Sequence, residues 1–108
     1  MRTPGHIEAL LLHGEGNAIP TPRLAALAGY GSTRQLQRKI EAERVNGALI
    51  LSSSTGGYFL PSSDPDEARA EITDFVHTVL SRAYNSILIL QSARAALAVL
   101  PGQEVIPE

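Results

Sequence analysis

From Ala68 to Leu100 the chain contains neither proline nor glycine, and this unbroken stretch limits the fold more than any other feature. Proline removes a backbone donor and glycine loosens the backbone, so a segment free of both can continue as one helix. A start signal stands in front of it. In Asp64-Pro65-Asp66-Glu67 an acceptor occupies the N-cap, proline takes the first helical position, and negative charge meets the positive end of the helix dipole. The expectation is a rod of up to about 35 residues, roughly 50 Å at 1.5 Å per residue, or two rods broken near Asn85-Ser86.

Apolar and small residues recur along this stretch at alternating spacings of four and three: Ile72, Val76, Val79, Ala83, Ser86, Leu90, Ala93, Leu97 and Leu100. That is the heptad rule for a helix-helix seam. A second stripe of Phe75, Leu80, Tyr84, Ile87 and Leu88 lies beside it. A helix apolar on most of its circumference must be buried on most sides, which predicts a homodimer through Ile72, Val76, Val79, Ala83, Leu90 and Leu97. The competing reading folds the helix back on its own domain.

Residues 29–61 form the other organised block. Ser32 is placed to cap a helix, with Gln35 three residues on to complete a capping box. Leu36 and Ile40 face inward, which turns Thr33, Arg34, Gln37, Arg38 and Glu41 outward. Asn46-Gly47 tolerates the left-handed conformation of a C-terminal cap. A strand at residues 48–51, a turn at Ser54-Thr55-Gly56-Gly57 and a returning strand at Tyr58-Phe59-Leu60 follow, with Pro61 ending the pairing. Upstream, Thr3-Pro4 can begin a first helix whose stripe is Ile7, Leu10 and Leu11 and which ends near Gly14. Ala18-Ile19-Pro20 is a short third strand, and Thr21-Pro22 opens a second helix that buries Leu24, Leu27 and Ala28.

Helix, turn, helix and glycine-tipped hairpin in this order resemble a winged helix-turn-helix over residues 6–61, carried by Ser32-Thr33-Arg34-Gln35, Leu36, Ile40, Gly47 and Gly56-Gly57-Tyr58. With Glu41-Ala42-Glu43-Arg44 and the acidic helix that follows, the chain is similar to small DNA-binding proteins of phages and prophages. More distantly it resembles the operator-binding domain of the biotin repressor. That domain would have a core leucine where this chain has Glu43, so either the helix ends its burial one turn early or the hairpin supplies the missing contact. The resemblance implies a sequence-specific double-stranded DNA binder without enzymatic activity, a transcriptional regulator or phage-type DNA-binding protein.

The residue types agree with that implication. Arginine reads guanine and glutamine reads adenine in the major groove, which nominates Arg34, Gln37 and Arg38 as readers. Thr33, Lys39 and Arg44 are candidate positioning contacts to phosphate, Ser32 and Gln35 are further candidate DNA contacts, and the hairpin tip with Thr55 and Gly56 can approach a phosphate or the minor groove. Up to Pro61 there are six Arg or Lys and four Glu, a net +2; beyond it three Arg and seven Asp or Glu give −4. A DNA-facing first half and a self-associating second half fit this division. The predicted organisation is therefore mainly α with a small antiparallel β-hairpin and a long C-terminal helix. Residues 1–61 form the winged domain, 62–100 the dimerisation helix, and 101–108 a flexible tail.

Other classes find little support. The absence of cysteine removes disulfides and thiolate metal sites and fits a reducing cytoplasm. No run is long enough to span a membrane. His6 and His13 are seven apart with no third ligand nearby, so neither metal nor cofactor is expected, and no nucleophile or phosphate-binding signature suggests catalysis or a small-molecule ligand. The rival is an adaptor, a winged helix that binds protein within a replication or packaging assembly, which the acidic pI of about 5.9 and the uncharged hairpin tip favour.

Overall fold

A computed structural model of the chain describes residues 2–100; the tail expected to be flexible, 101–108, lies outside them. The protein is mainly helical with a small antiparallel sheet. Two 3₁₀ turns, Glu8–Leu10 and Glu15–Asn17, precede β1 (Ile19–Pro20), α1 (Thr21–Ala28), α2 (Thr33–Val45), β2 (Leu51–Ser52), β3 (Gly57–Phe59) and α3 (Pro65–Ala98). The chain divides into two units, one ending at Phe75 and the other beginning at Val76. The first unit thus extends beyond Pro61 to take in the opening turns of α3.

Sheet order is β1-β3-β2. Ile19 sits opposite Tyr58 and Pro20 opposite Gly57, while Leu51 faces Phe59 and Ser52 faces Tyr58. Pro20 is tolerated because β1 is an edge strand, where a missing donor breaks no ladder. The two tip glycines serve different ends. Gly56 has φ 95°, which a turn residue with a Cβ would resist. Gly57 is needed for close approach instead, since a Cβ there would lie 2.8 Å from the Ile19 carbonyl oxygen.

The core of the first unit is aliphatic: Ile7, Leu11, Ile19, Leu24, Ala25, Leu36, Ile40, Ala48 and Ile50 form one buried cluster. Each fully buried Ile or Leu contributes roughly 1.5 to 3 kcal/mol by leaving water. In α1 the buried residues are Leu24 and Ala25, whereas Leu27 is 54 % exposed and Ala28 half-buried; the expected inward position of Leu27 is corrected. Eight residues are barely two turns, so the buried stripe of α1 is short.

The expected first α-helix is also absent. Leu10 and Leu11 donate to the Ile7 and Glu8 carbonyls at 2.9 and 3.2 Å in a 3₁₀ pattern, and Leu11 is already extended at ψ 153°. Pairing with a distant segment stops the helix here. The Leu60 amide donates to the Leu12 carbonyl and the Gly14 amide to the Leu60 carbonyl, both at 2.8 Å, around a parallel bridge of His13 with Leu60. Ile7 and Leu11 still reach the core, so the apolar spacing is used without the helix.

The start of α3 follows its signal. Asp64 accepts the Glu67 amide at 2.9 Å. Glu71 ties the first turns of the helix to the unit by accepting the Glu15 amide at 3.0 Å and the Ser62 amide at 2.8 Å. The helix continues without a break through Asn85-Ser86, and none of its 34 residues is buried.

Candidate nucleic-acid interface

The outer face of α2 is fixed by what happens at its ends and on its back. Leu36 and Ile40 are buried to within 1 % and anchor the inner face. At the N-terminus the Gln35 amide donates to Ser32 Oγ at 3.3 Å, and Gln35 Oε1 accepts the Gly31 amide at 3.0 Å. The reciprocal cap closes one residue earlier than the capping-box pattern. Ser32 and Gln35, both candidate DNA contacts, are exposed but already spend side-chain groups on this cap.

Thr33, Arg34, Gln37 and Arg38 are exposed, and Lys39 is half-buried. Arg34 and Arg38 are four apart and so stand on one face, one turn above the other. Arg38 also borders a shallow concavity with Glu41, Ala42, Val45 and Asn46.

Arg44 behaves differently from the other cations. Its Nε donates to the Ile50 carbonyl at 2.8 Å and its terminal nitrogen to Ser52 Oγ at 3.0 Å. Its guanidinium carbon lies 4.8 Å from the Phe75 ring centroid and 5.8 Å from that of Tyr58. A planar cation stacked on aromatic rings while hydrogen-bonded to a strand is a structural tie. Arg44, a candidate phosphate contact, thus also braces α2, the hairpin and the first turns of α3.

Glu43 resolves the departure noted at the leucine position. It is 5 % exposed, the one buried charged residue among those described. Its Oε2 accepts the Ile7 amide at 2.8 Å and its Oε1 the Glu8 amide at 2.9 Å. The carboxylate thus satisfies two backbone donors at the first 3₁₀ turn. Neither expected alternative holds: the helix stays buried past Ile40, and the compensation is polar. No local signal announces this, because the partners lie 35 and 36 residues away.

Ion pairing removes a second cation from the surface count. Arg2 donates to both oxygens of Glu8, at 2.9 and 2.7 Å. The hydrogen bonds from Arg2 hold the Glu8 carboxyl below its ordinary pKa, and those same bonds raise that of Arg2.

The hairpin tip is internally satisfied. The hydroxyls of Ser53 and Thr55 are 2.8 Å apart, and the Thr55 amide donates to Ser53 Oγ. The Gly56 carbonyl accepts both the Thr21 amide, at 3.2 Å, and Thr21 Oγ1, at 2.6 Å. Thr55 and Gly56 are exposed, but these polar groups already have partners, and the latch to Thr21, 35 residues away, carries no local sequence signal.

The histidines also work within the fold. His6 Nε2 donates to the Ala28 carbonyl at 3.1 Å and its ring meets Tyr30 edge-on; His13 Nδ1 donates to the Pro61 carbonyl at 2.9 Å. Among the described residues no group of three or more His, Cys, Asp or Glu is placed to hold a metal ion.

Of the expected dimer contacts, Ile72 is half-buried within the first unit. Val76, Val79, Ala83 and Leu90 are exposed on α3, and Leu97 is half-buried. Among the described residues no helix is long and apolar enough to cross a membrane. Comparison with protein-family models, with curated proteins and with solved structures returns no match for this chain.

Proposed function

We propose that this chain is a non-enzymatic winged-helix protein that binds double-stranded DNA as a homodimer, with α2 in the major groove. The reading rests on one observation. Arg34, Gln37 and Arg38 are exposed on a helix anchored by Leu36 and Ile40 and capped by Ser32, while Arg2 pairs with Glu8 and Arg44 bonds the Ile50 carbonyl. Arg34 and Arg38 are thus left to face a groove, with Lys39 beside them as a phosphate contact. Each protomer brings one such helix, so a dimer would read two half-sites of a roughly palindromic site. A transcriptional regulator or a phage-type DNA-binding protein would use this arrangement.

Selection of binding sites from random duplexes, followed by titration of the selected site, tests the reading. Affinity is expected to fall steeply between low and physiological salt. Arg34→Ala or Arg38→Ala should each weaken the selected site by about 1 to 3 kcal/mol. A double variant that binds its site as the parent does would remove α2 as the reader.

One observation favours the adaptor as a second reading. Leu12 and Leu27, 52 % and 54 % exposed, line a concavity of about 410 Å³ together with Leu10, Ile19, Pro20 and Arg23. Capture of protein there would show no steep salt response and no effect of the α2 arginines.

A further inference from the structure

On the face of α2 that carries the arginines stands a carboxylate that the fold does not use. Elsewhere in the first unit Glu8 accepts from Arg2, Glu43 from the Ile7 and Glu8 amides, Glu67 from Ser62 Oγ, and Glu71 from the Glu15 and Ser62 amides. Glu41 is exposed, and its side chain makes no hydrogen bond or ion pair with another described residue. The same is true of Arg34, Gln37 and Arg38.

Helix geometry puts these four side chains together. At about 100° per residue, Gln37, Glu41, Arg34 and Arg38 fall in that order within an arc of about 100°, turned away from the buried Leu36, Ile40 and Glu43. Along the axis Glu41 lies about 10 Å beyond Arg34 at 1.5 Å per residue, or about three base steps of 3.4 Å. A groove that receives Arg34 and Arg38 therefore receives Glu41 as well.

Chemistry limits what Glu41 can meet there. An ionised carboxylate carries acceptors only, and an arginine donors only. Guanine offers the arginines N7 and O6, both acceptors, whereas the donors of the major groove are the amino groups of cytosine and adenine, and glutamate pairs with cytosine N4. Against any other edge the carboxylate faces acceptors or a thymine methyl, while the phosphates of both strands repel it. The repulsion is present on every sequence, and only an amino-bearing edge offsets it.

Given DNA binding through α2, on which this rests, we infer that Glu41 is a specificity-determining residue. It accepts a hydrogen bond from a cytosine amino group and weakens the grip of α2 on duplexes that lack one at that position.

Sites selected from random duplexes by the full chain and by Glu41→Gln provide the test, followed by titration of both proteins with the parent's selected site and with a scrambled duplex of the same composition. Glutamine keeps the length of the side chain, removes its charge and pairs with adenine. The parent consensus is expected to hold a cytosine that the variant replaces by adenine or no longer requires. Preference for the site over the scrambled duplex should fall about tenfold in the variant. A variant that keeps the parent's consensus overturns the inference, including one that binds both duplexes more tightly by the same factor, since Glu41 would then only screen Arg38. Such a result leaves DNA reading by α2 standing. A parent that selects no consensus removes that reading and the role of Glu41 with it.

Discussion

The two units of this chain put similar residues to opposite use. In the first, Ile7, Leu24, Leu36 and Ile50 are fully buried and the one buried carboxylate has both of its oxygens occupied. In the second, Ile87, Ile89 and Leu90 are 49 to 70 % exposed. Side chains of the same hydrophobicity thus close a core in one place and leave an open face in the other. Local sequence cannot separate these outcomes, because helix periodicity says which side is apolar and nothing about what covers it.

The largest expected effect breaks the comparison at its centre. Leu36→Ala removes a side chain with no exposed surface and should cost about 2 to 5 kcal/mol in the first unit. Ile89→Ala, at a position 70 % exposed and outside both α3 stripes, should change stability by no more than about 0.5 kcal/mol. Denaturant-dependent amide exchange resolves the two units separately. Equal losses at the two sites would mean that Ile89 is covered in solution.

A smaller effect sharpens the polar side of the first unit. Glu43→Leu replaces the carboxylate with an apolar side chain and strands the Ile7 and Glu8 amides, at about 1 to 3 kcal/mol for the buried Ile7 donor and less for the part-buried Glu8 donor. Glu43→Gln keeps one acceptor oxygen and should lose less. Gly5 belongs to the same device, since a Cβ on it would lie 2.7 Å from Glu43 Cγ. Denaturant midpoints that rank the leucine variant above the glutamine variant would show that hydrogen bonding at residue 43 is incidental.

What could be read from residues alone follows the range of the forces involved. The cap at Ser32, the inward pair Leu36 and Ile40 and the start at Asp64-Pro65 rest on contacts within one helical turn, and the structure holds them in place. The expected first helix does not form because Leu12 and Gly14 are recruited by Leu60, a competition invisible to periodicity. Arg44 has the composition of a phosphate contact, yet Phe75, 31 positions later, stacks on it. Glu43 carries no mark that its carboxylate is an internal cap. Among the candidate contacts, Arg34, Gln37 and Arg38 stand exposed as expected, whereas Thr55 and Gly56 are at the surface but spend polar groups within the protein, the Thr55 hydroxyl on Ser53 and the Gly56 carbonyl on Thr21.

The smallest expected effect concerns how the first unit holds its N-terminal residues. Glu8 accepts two hydrogen bonds from Arg2 and one from the Gly5 amide, and its folded pKa is lowered chiefly by the bonds from Arg2. A carboxyl with a depressed folded value adds stability that is fully present above its unfolded pKa, near 4.3. The contribution is lost as pH falls from there through the folded value. Stability of the parent should therefore drop more steeply over that acid range than stability of Glu8→Gln, with the two curves differing by a constant amount at neutral pH. The arginine end of the pair is 42 % exposed and the Glu8 end 14 %, so salt should shrink the difference through the solvent-facing guanidinium. Curves that run parallel through the acid range would show that the pair forms without stabilising the fold.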